Sequence, residues 1–375
     1  MKKILLVDDS ALMRRVLCDI IADDGRYVVE GQAKDGKEAL ELILANTYDV
    51  VILDVHMPRM NGIELLRELK ERRIRVKVFM VSSLTTEGAS VTMEALELGA
   101  MDFVTKPGSF LLAKSQTFQP EFLRVLEAVA SGKVVNRNRI SSKIADQRVP
   151  SRPSYTPTRT TQVSKQATST AYKKPVKVGP NETYEVVVAI ASSTGGPKAL
   201  QVALKSIPAS IQAPILIVQH MPIGFTQTFA QRLDSMCEIS VKEAEEGDVL
   251  EKGCAYLARG GMHMNVVLRN GVHMIHYSDE PQREGVKPCA NYMYESLGNS
   301  KYKRVVCVVL TGMGSDGTKG ILELNNHKKI EIIAQDEESC VVYGMPKSIT
   351  KTGLVQQNYS IERVGNQIIK NVGVR

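Results

Sequence analysis

The sequence lacks the patterns that most readily assign a chain to a metal site, a disulfide scaffold or a membrane. Its six cysteines include no CxxC spacing and its six histidines no HExxH, so we expect neither a disulfide framework nor a metal–imidazole site. No apolar run approaches the roughly 20 residues that cross a membrane, and the four apolar residues after Met-Lys-Lys are too few for a signal peptide. We therefore expect a cytoplasmic protein without membrane insertion.

Positive charge is concentrated in one segment. The chain of 375 residues has a formal net charge of +7, but residues 131–181 hold 11 lysines and arginines and one acid, which leaves −3 for the rest. This segment is rich in Ser, Thr, Gln and Pro, and it cannot bury enough apolar surface to offset its chain entropy. We predict a flexible basic linker over residues 131–182 between domains at 1–130 and 183–375. Whether the linker also contacts a partner stays open, and we do not expect nucleic-acid binding.

Five short apolar segments alternate with helix-like segments in residues 1–130. This alternation predicts a parallel sheet covered by helices on both faces, and such sheets bind ligands at the carboxyl ends of their strands. The polar residues at the predicted strand ends are Asp8, Asp9, Asp54, Ser82 and Lys106. Three carboxylates at one sheet edge suit Mg²⁺, and a lysine and a hydroxyl opposite them suit a transferred phosphoryl group.

This set of residues resembles that of the response-regulator receiver domain. The resemblance implies a flavodoxin-like (βα)5 fold in which Asp54 accepts phosphate from a histidine kinase. It also implies that Asp8, Asp9 and the backbone carbonyl of His56 join Asp54 in holding Mg²⁺. The residues that respond to the phosphoryl group, by the same resemblance, are Ser82, Lys106 and Phe103.

The second half of the chain repeats the pattern of buried strand, glycine-containing turn and helix. Residues 186–191 form a continuous apolar run, residues 192–196 read Ser-Ser-Thr-Gly-Gly, and Pro197 suits the first position of a helix. Further apolar strands precede His220 and the loop 311–317. We predict a doubly wound, mainly parallel α/β sheet, with an antiparallel hairpin whose turn is at Asn270-Gly271.

Three residues with complementary chemistry follow three different predicted strands. Ser193, His220 and Asp316 are the residue types of a nucleophile, a general base and an orienting carboxylate. Backbone N–H groups around Thr194 and in the loop Gly312–Gly314 would bind an oxyanion. The pattern is therefore compatible with a hydrolase that attacks a carbonyl group.

The residues alone leave alternatives to this hydrolase open. A glycine-containing turn at a helix N-terminus also suits a phosphate cradle, and Ser192 and Ser315 compete with Ser193 as nucleophiles. The chain contains neither the GxSxG elbow of many hydrolases nor the GxxxxGK[ST] phosphate loop. The pattern thus does not decide between acyl transfer and phosphate binding.

Three longer motifs resemble the catalytic segments of the CheB methylesterase family. They are Ala191-Ser192-Ser193-Thr194-Gly195-Gly196, Gln219-His220-Met221-Pro222 and Leu310-Thr311-Gly312-Met313-Gly314-Ser315-Asp316-Gly317. The resemblance implies a chemotaxis enzyme that demethylates glutamate methyl esters on chemoreceptors and deamidates selected glutamines. It implies the triad Ser193, His220 and Asp316, an oxyanion-hole N–H from Met313, and no cofactor for the esterase step.

Two further hypotheses belong to other functional classes. The second half of a response regulator can bind DNA or a partner without chemistry, although no helix-turn-helix pattern is present here, and a pseudoenzyme can scaffold receptors. If the chain is an enzyme, we expect its receiver to pack over the active-site face until phosphorylation adds about −1.5 to −2 charges.

Overall fold

The first part of the chain alternates strands and helices as predicted. In a computed structural model of the protein, the described residues are 1–83, 85–107, 118–134 and 185–374. The strands are β1 Lys2–Val7, β2 Tyr27–Ala33, β3 Val50–Asp54, β4 Val78–Ser82 and β5 Asp102–Thr105. The helices are α1 Ala11–Asp24, α2 Gly36–Ala45, α3 Gly62–Glu71, α4 Thr86–Leu98 and α5 Phe118–Ser131. Most of the predicted linker, residues 135–182, lies outside the described residues.

The second part holds more elements than the sequence predicted. Its strands are β6 Val186–Ser192, β7 Ile215–Gln219, β8 Ser240–Glu243, β9 Cys254–Leu257, β10 His263–Arg269, β11 Val272–Ser278, β12 Arg304–Val309, β13 Lys329–Gln335 and β14 Asn358–Tyr359. Its helices are α6 Gly196–Lys205, α7 Thr226–Met236, α8 Ala290–Leu297, α9 Thr318–Asn325, α10 Met345–Thr350 and α11 Ile361–Val372.

Two parallel sheets position the predicted strand ends. The first has the strand order β2-β1-β3-β4-β5, the second has the order β14-β13-β12-β6-β7-β9-β8, and all their pairings are parallel. The carboxyl ends of the strands therefore meet at one edge of each sheet. The predicted α/β fold class is confirmed.

The predicted hairpin is a separate two-stranded antiparallel sheet of β10 and β11. Its turn residues Asn270 and Gly271 have φ values of 50° and 82°, the left-handed conformation that a tight hairpin turn requires. The apolar residues between 247 and 258 suggest one strand before the hairpin, but only Cys254–Leu257 is strand. The preceding residues instead approach β11 through an isolated bridge between Val249 and Met274.

Strand β6 is buried on both faces, as its continuous apolar run predicts. Val188 and Ile190 pack in one hydrophobic cluster with α6 and α11, while Val187 and Ala189 pack in another with α8 and α9. Alternate residues of a strand point to opposite faces, so this pattern requires helices on both sides. The turn after β6 is consequently held between two packed layers.

All six cysteines are free, and four of them are buried. In the described part of the chain, the helices do not combine the length and the apolarity that crossing a membrane would require.

The phenol of Tyr294 ties α8 to the centre of the second sheet. Its hydroxyl oxygen lies 3.2 Å from the carbonyl oxygen of Ala189 and 3.0 Å from that of Val308. We expect Tyr294→Phe to lower the free energy of unfolding by about 1 kcal/mol, because one buried hydrogen bond is lost. Tyr294→Leu should lower it by at least twice as much, since ring packing is lost too. Urea unfolding measures both free energies. If Tyr294→Phe and Tyr294→Leu lower the free energy of unfolding equally, this expectation is wrong.

Candidate active site

Ser193 and His220 follow neighbouring strands at the same sheet edge. Ser192, the last residue of β6, pairs in register with Gln219, the last residue of β7. The N–H of His220 donates to the carbonyl of Ser192 at 3.1 Å. Ser193 and His220 are therefore the next facing pair, and both are largely buried, at 2% of the residue and 5% of the side chain exposed.

Gln219 links the two strand ends, a role that was not predicted from the sequence. Its amide oxygen accepts from the Ser192 hydroxyl at 2.7 Å, and its amide nitrogen donates to the carbonyls of Ser193 and His220 at 3.1 and 3.0 Å. Its signals in the sequence were its position as a polar residue at the end of an apolar strand and its place in the motif Gln219-His220-Met221-Pro222. Because Ser192 is fully buried and its hydroxyl is bound, this serine holds the turn together.

His220 pairs with Asp316. Its Nε2 lies 2.7 Å from Oδ2 of Asp316, and its Nδ1 is buried without a hydrogen-bond partner among the described residues. A ring nitrogen that faces a carboxylate carries the proton, so Nδ1 is the acceptor of the neutral imidazole. The ring therefore has the tautomer that a general base needs.

The carboxylate of Asp316 is held by several donors besides His220. The N–H groups of Ala290, Asn291 and Gly317 donate at 2.6, 3.0 and 2.8 Å, and the thiol of Cys289 donates at 3.0 Å. Two of these groups belong to the first turn of α8, whose dipole favours negative charge. Burial alone would raise the pKa of Asp316, but His220 and these bonds outweigh it and lower the pKa to about 2.

The loop Gly312–Gly314 lies beside Ser193. The N–H of Ser193 donates to the carbonyl of Thr311 at 3.0 Å, and a Cβ at Gly312 would stand only 2.8 Å from the Cβ of Ser193. Among the described residues, the N–H groups of Thr194 and Met313 make no hydrogen bond. They are available to an oxygen bound next to Ser193.

Ser315, the other competing hydroxyl, lies next to Asp316 in sequence but has a different partner. Its hydroxyl donates to Oε2 of Glu284 at 2.9 Å.

The predicted phosphorylation site gathers at the edge of the first sheet. Nζ of Lys106 lies 2.8 Å from Oδ2 of Asp8 and 2.7 Å from Oδ2 of Asp54. Burial raises the pKa of Asp54, and Lys106 opposes this rise. One carboxylate oxygen from each of Asp8, Asp9 and Asp54 lies within 4.8 Å of the others, a set of hard oxygen ligands that fits Mg²⁺.

The other predicted receiver residues lie around this edge. Ser82 is buried and its hydroxyl oxygen is 2.6 Å from that of Thr92, whereas His56 is exposed. Phe103 is buried and packs against Phe225 of the second half, with 4.6 Å between the ring centroids.

Comparison with known proteins identifies both halves. Residues 4–112 match the response regulator receiver domain, and residues 188–368 match the CheB methylesterase domain. A protein-glutamate methylesterase/protein-glutamine glutaminase of Pyrococcus horikoshii is 42% identical over 372 residues, which are 99% of this chain and 94% of that relative. The chain belongs to the CheB methylesterase family. It is accordingly a hydrolase of the methylesterase class that carries a response-regulator receiver domain.

Other CheB relatives are similar over their whole length. Proteins with the same description from Geobacillus kaustophilus and Bacillus subtilis are each 38% identical and cover 99% and 98% of this chain and of their own lengths, respectively. The solved catalytic domain of Thermotoga maritima CheB is 36% identical, with a TM-score of 0.49, and covers 50% of this chain and 99% of that chain.

In this CheB chain the receiver contacts the turn that carries Ser193. The described residues of both domains belong to one compact unit. The hydroxyl of Thr194 donates to Oδ2 of Asp102 at 2.5 Å, and Arg232 of α7 forms a bidentate ion pair with Glu97 of α4. Burial at this contact raises the pKa of Asp102. A receiver at this face was expected from the sequence, but neither of these two pairs was.

The low pKa of Asp316 predicts how its contribution to stability depends on pH. Its folded pKa of about 2 lies below the ordinary value of about 3.9, so ionised Asp316 stabilises the fold above pH ~4, and this contribution of about 2 kcal/mol disappears as the pH falls toward 2. We expect Asp316→Asn to be less stable than the native protein at pH 7, by a margin that narrows below pH 4. Urea unfolding from pH 7 to pH 3 measures this margin. Ser193→Ala, which keeps the carboxylate, is the control; a margin that is constant with pH would refute the assignment.

Proposed function

We propose that the chain hydrolyses γ-glutamyl methyl esters on chemoreceptors and deamidates selected receptor glutamines, with Ser193 as the nucleophile. The observation that carries this proposal is the 2.7 Å contact between His220 and Asp316, at the sheet edge where Ser193 follows the neighbouring strand. The chemoreceptor substrate is suggested by the family, whose relatives are named for glutamate methyl ester and glutamine hydrolysis.

In the first half of the reaction, Oγ of Ser193 attacks the ester carbonyl while its proton passes to Nδ1 of His220. Asp316 holds the ring and stabilises the imidazolium that forms. The tetrahedral intermediate collapses, the bond to the methoxy oxygen breaks, and His220 returns the proton so that methanol leaves. In the second half, His220 takes a proton from water and the resulting hydroxide attacks the acyl-enzyme. The bond to Oγ of Ser193 then breaks, His220 returns the proton to Oγ, and the glutamate product leaves. A glutamine substrate follows the same course with ammonia as the leaving group.

The oxyanion of the intermediate would be bound by the N–H groups of Thr194 and Met313. Both are without a hydrogen-bond partner among the described residues, and both lie in segments beside Ser193. Loss of one such donor typically costs about 3 kcal/mol of transition-state stabilisation.

The receiver would be phosphorylated on Asp54 by a histidine kinase. Asp8, Asp9, Asp54 and the carbonyl of His56 would hold Mg²⁺, which, when bound, neutralises the carboxylates and the transferred oxygens. Lys106, already paired with Asp54, would bind the phosphoryl group. Ser82 and Phe103 would adjust to the modified site. With a histidine kinase as its phosphodonor, the protein would be located in the cytoplasm.

In the unphosphorylated state, the receiver would inhibit the esterase. The side chain of Thr194, whose N–H is a proposed oxyanion donor, is bound to Asp102 of the receiver. A receptor helix needs the space around Ser193, and a carboxylate beside the oxyanion site disfavours a developing negative charge. Phosphorylation would act by weakening this contact.

Ser193→Ala should lower the release of methanol from methylated chemoreceptor membranes by at least about 10³-fold, because no acyl-enzyme can form. Ser192→Ala and Ser315→Ala serve as matched controls and should retain covalent labelling by a serine-directed probe. If Ser193→Ala keeps its label and its activity, the proposed nucleophile is wrong.

The ion pair between Glu97 and Arg232 allows inhibition to be tested in the full chain. We expect Glu97→Arg alone to raise the methanol-release rate without a phosphodonor several-fold, because two arginines then face each other across the domain contact. Adding Arg232→Glu restores an opposite-charge pair and should return the rate toward the native value. An unchanged rate in the single variant, with unfolding as in the native protein, would contradict inhibition through this contact.

A further inference from the structure

Two helix N-termini meet at Asp316. Helix α8 begins at Ala290 and helix α9 begins at Thr318, just after Asp316. The helices pack backbone against backbone, since a Cβ at Gly320 would stand only 2.5 Å from the carbonyl oxygen of Asn291. Orphan N–H groups of both helices therefore face one small, buried region.

Each helix satisfies the orphan N–H groups of the other. Asp316 accepts from Ala290 and Asn291 at the start of α8, at 2.6 and 3.0 Å. In return, Oδ1 of Asn291 accepts from Gly317 and Gly320 at the start of α9, at 3.1 and 2.7 Å. The exchange fixes the position of Asp316 from both sides.

The amide of Asn291 is oriented by its own donors. Its Nδ2 lies 3.2 Å from Oε1 of Glu284 and 3.8 Å from Sγ of Cys289, and the residue is fully buried. With Nδ2 directed at these acceptors, Oδ1 faces the N–H groups of α9. An amide supplies both the donor and the acceptor that this position needs.

We propose that Asn291 is a positioning residue for the hydrolysis: its amide fixes the start of α9, next to Asp316, and its neutrality adds no second negative charge beside Asp316. The inference rests on the proposed roles of Asp316 and His220. Asn291 itself touches no reacting atom in this scheme and acts through Asp316.

A charge at position 291 would act electrostatically on His220. The titratable or charged groups around Asp316, His220 and Asn291 are Cys289, Tyr294, Glu284, Lys319 and Asp102. Burial and Asp316 raise the pKa of the Cys289 thiol, which stays a neutral donor, and Glu284 is partly balanced by Lys319. A carboxylate at 291 would thus add an unbalanced negative charge next to Asp316, and it would stabilise the His220 imidazolium.

Asn291→Asp is the main test, because its carboxylate retains both acceptor bonds to α9. In the full chain with a small-molecule phosphodonor, we expect the acidic limb of the kcat/KM profile for methanol release from methylated receptor membranes to move up by about one pH unit. The ¹⁵N resonances of His220 should move with it. Asn326→Asp, at the exposed far end of α9, makes the same charge change and should leave the limb in place.

Asn291→Ala removes the amide and should lower kcat about tenfold or more, with KM changed less than twofold, because substrate contacts are untouched. If Asn291→Asp folds and neither the acidic limb nor the His220 resonances move, or if Asn291→Ala keeps the native kcat, the inference is wrong. Failure of the proposed function is a separate result: there, Ser193→Ala remains active.

Discussion

The structure of the second domain depends on the hydrogen bonds that hold the buried carboxylate of Asp316. A charge removed from water needs several hydrogen bonds, and here they come from His220, the thiol of Cys289 and the N-terminal turns of α8 and α9. These groups belong to segments nearly a hundred residues apart in the sequence. Satisfying one carboxylate therefore brings the ends of β7 and β12 and the start of α8 to the same point.

At the edge of the receiver's sheet, buried carboxylates are compensated by the ammonium group of a lysine. Asp8 and Asp54 are buried, and Lys106 lies between them at 2.8 and 2.7 Å. In both domains, parallel strands deliver polar side chains to one edge, where neighbouring elements must compensate their charge. The two sites differ in the compensating group: helix N-termini and an imidazole in one, an ammonium in the other.

Residues next to apolar strands were predictable from the sequence, and residues that act across the fold were not. Ser193, His220 and Asp316 could be singled out because each follows a buried strand, and the alternation of strands and helices indicated the α/β fold. Gln219 and Asn291 gave no comparable signal, since a single amide in a strand or helix is ordinary. Asp102 and Thr194 are 92 residues apart, and only the packing of two domains brings them together. Strand β14 was missed because two residues carry no periodicity.

The strands at the two ends of the seven-stranded sheet are short: β14 has two residues and β8 has four. The outer strand of a sheet exposes unpaired N–H and C=O groups, onto which a foreign strand can add. Edge strands as short as β14 and β8 expose few such groups, so a foreign strand has little to pair with. The molecule can thus keep a long, strongly apolar β6 at its centre with little risk of fibrillar self-association.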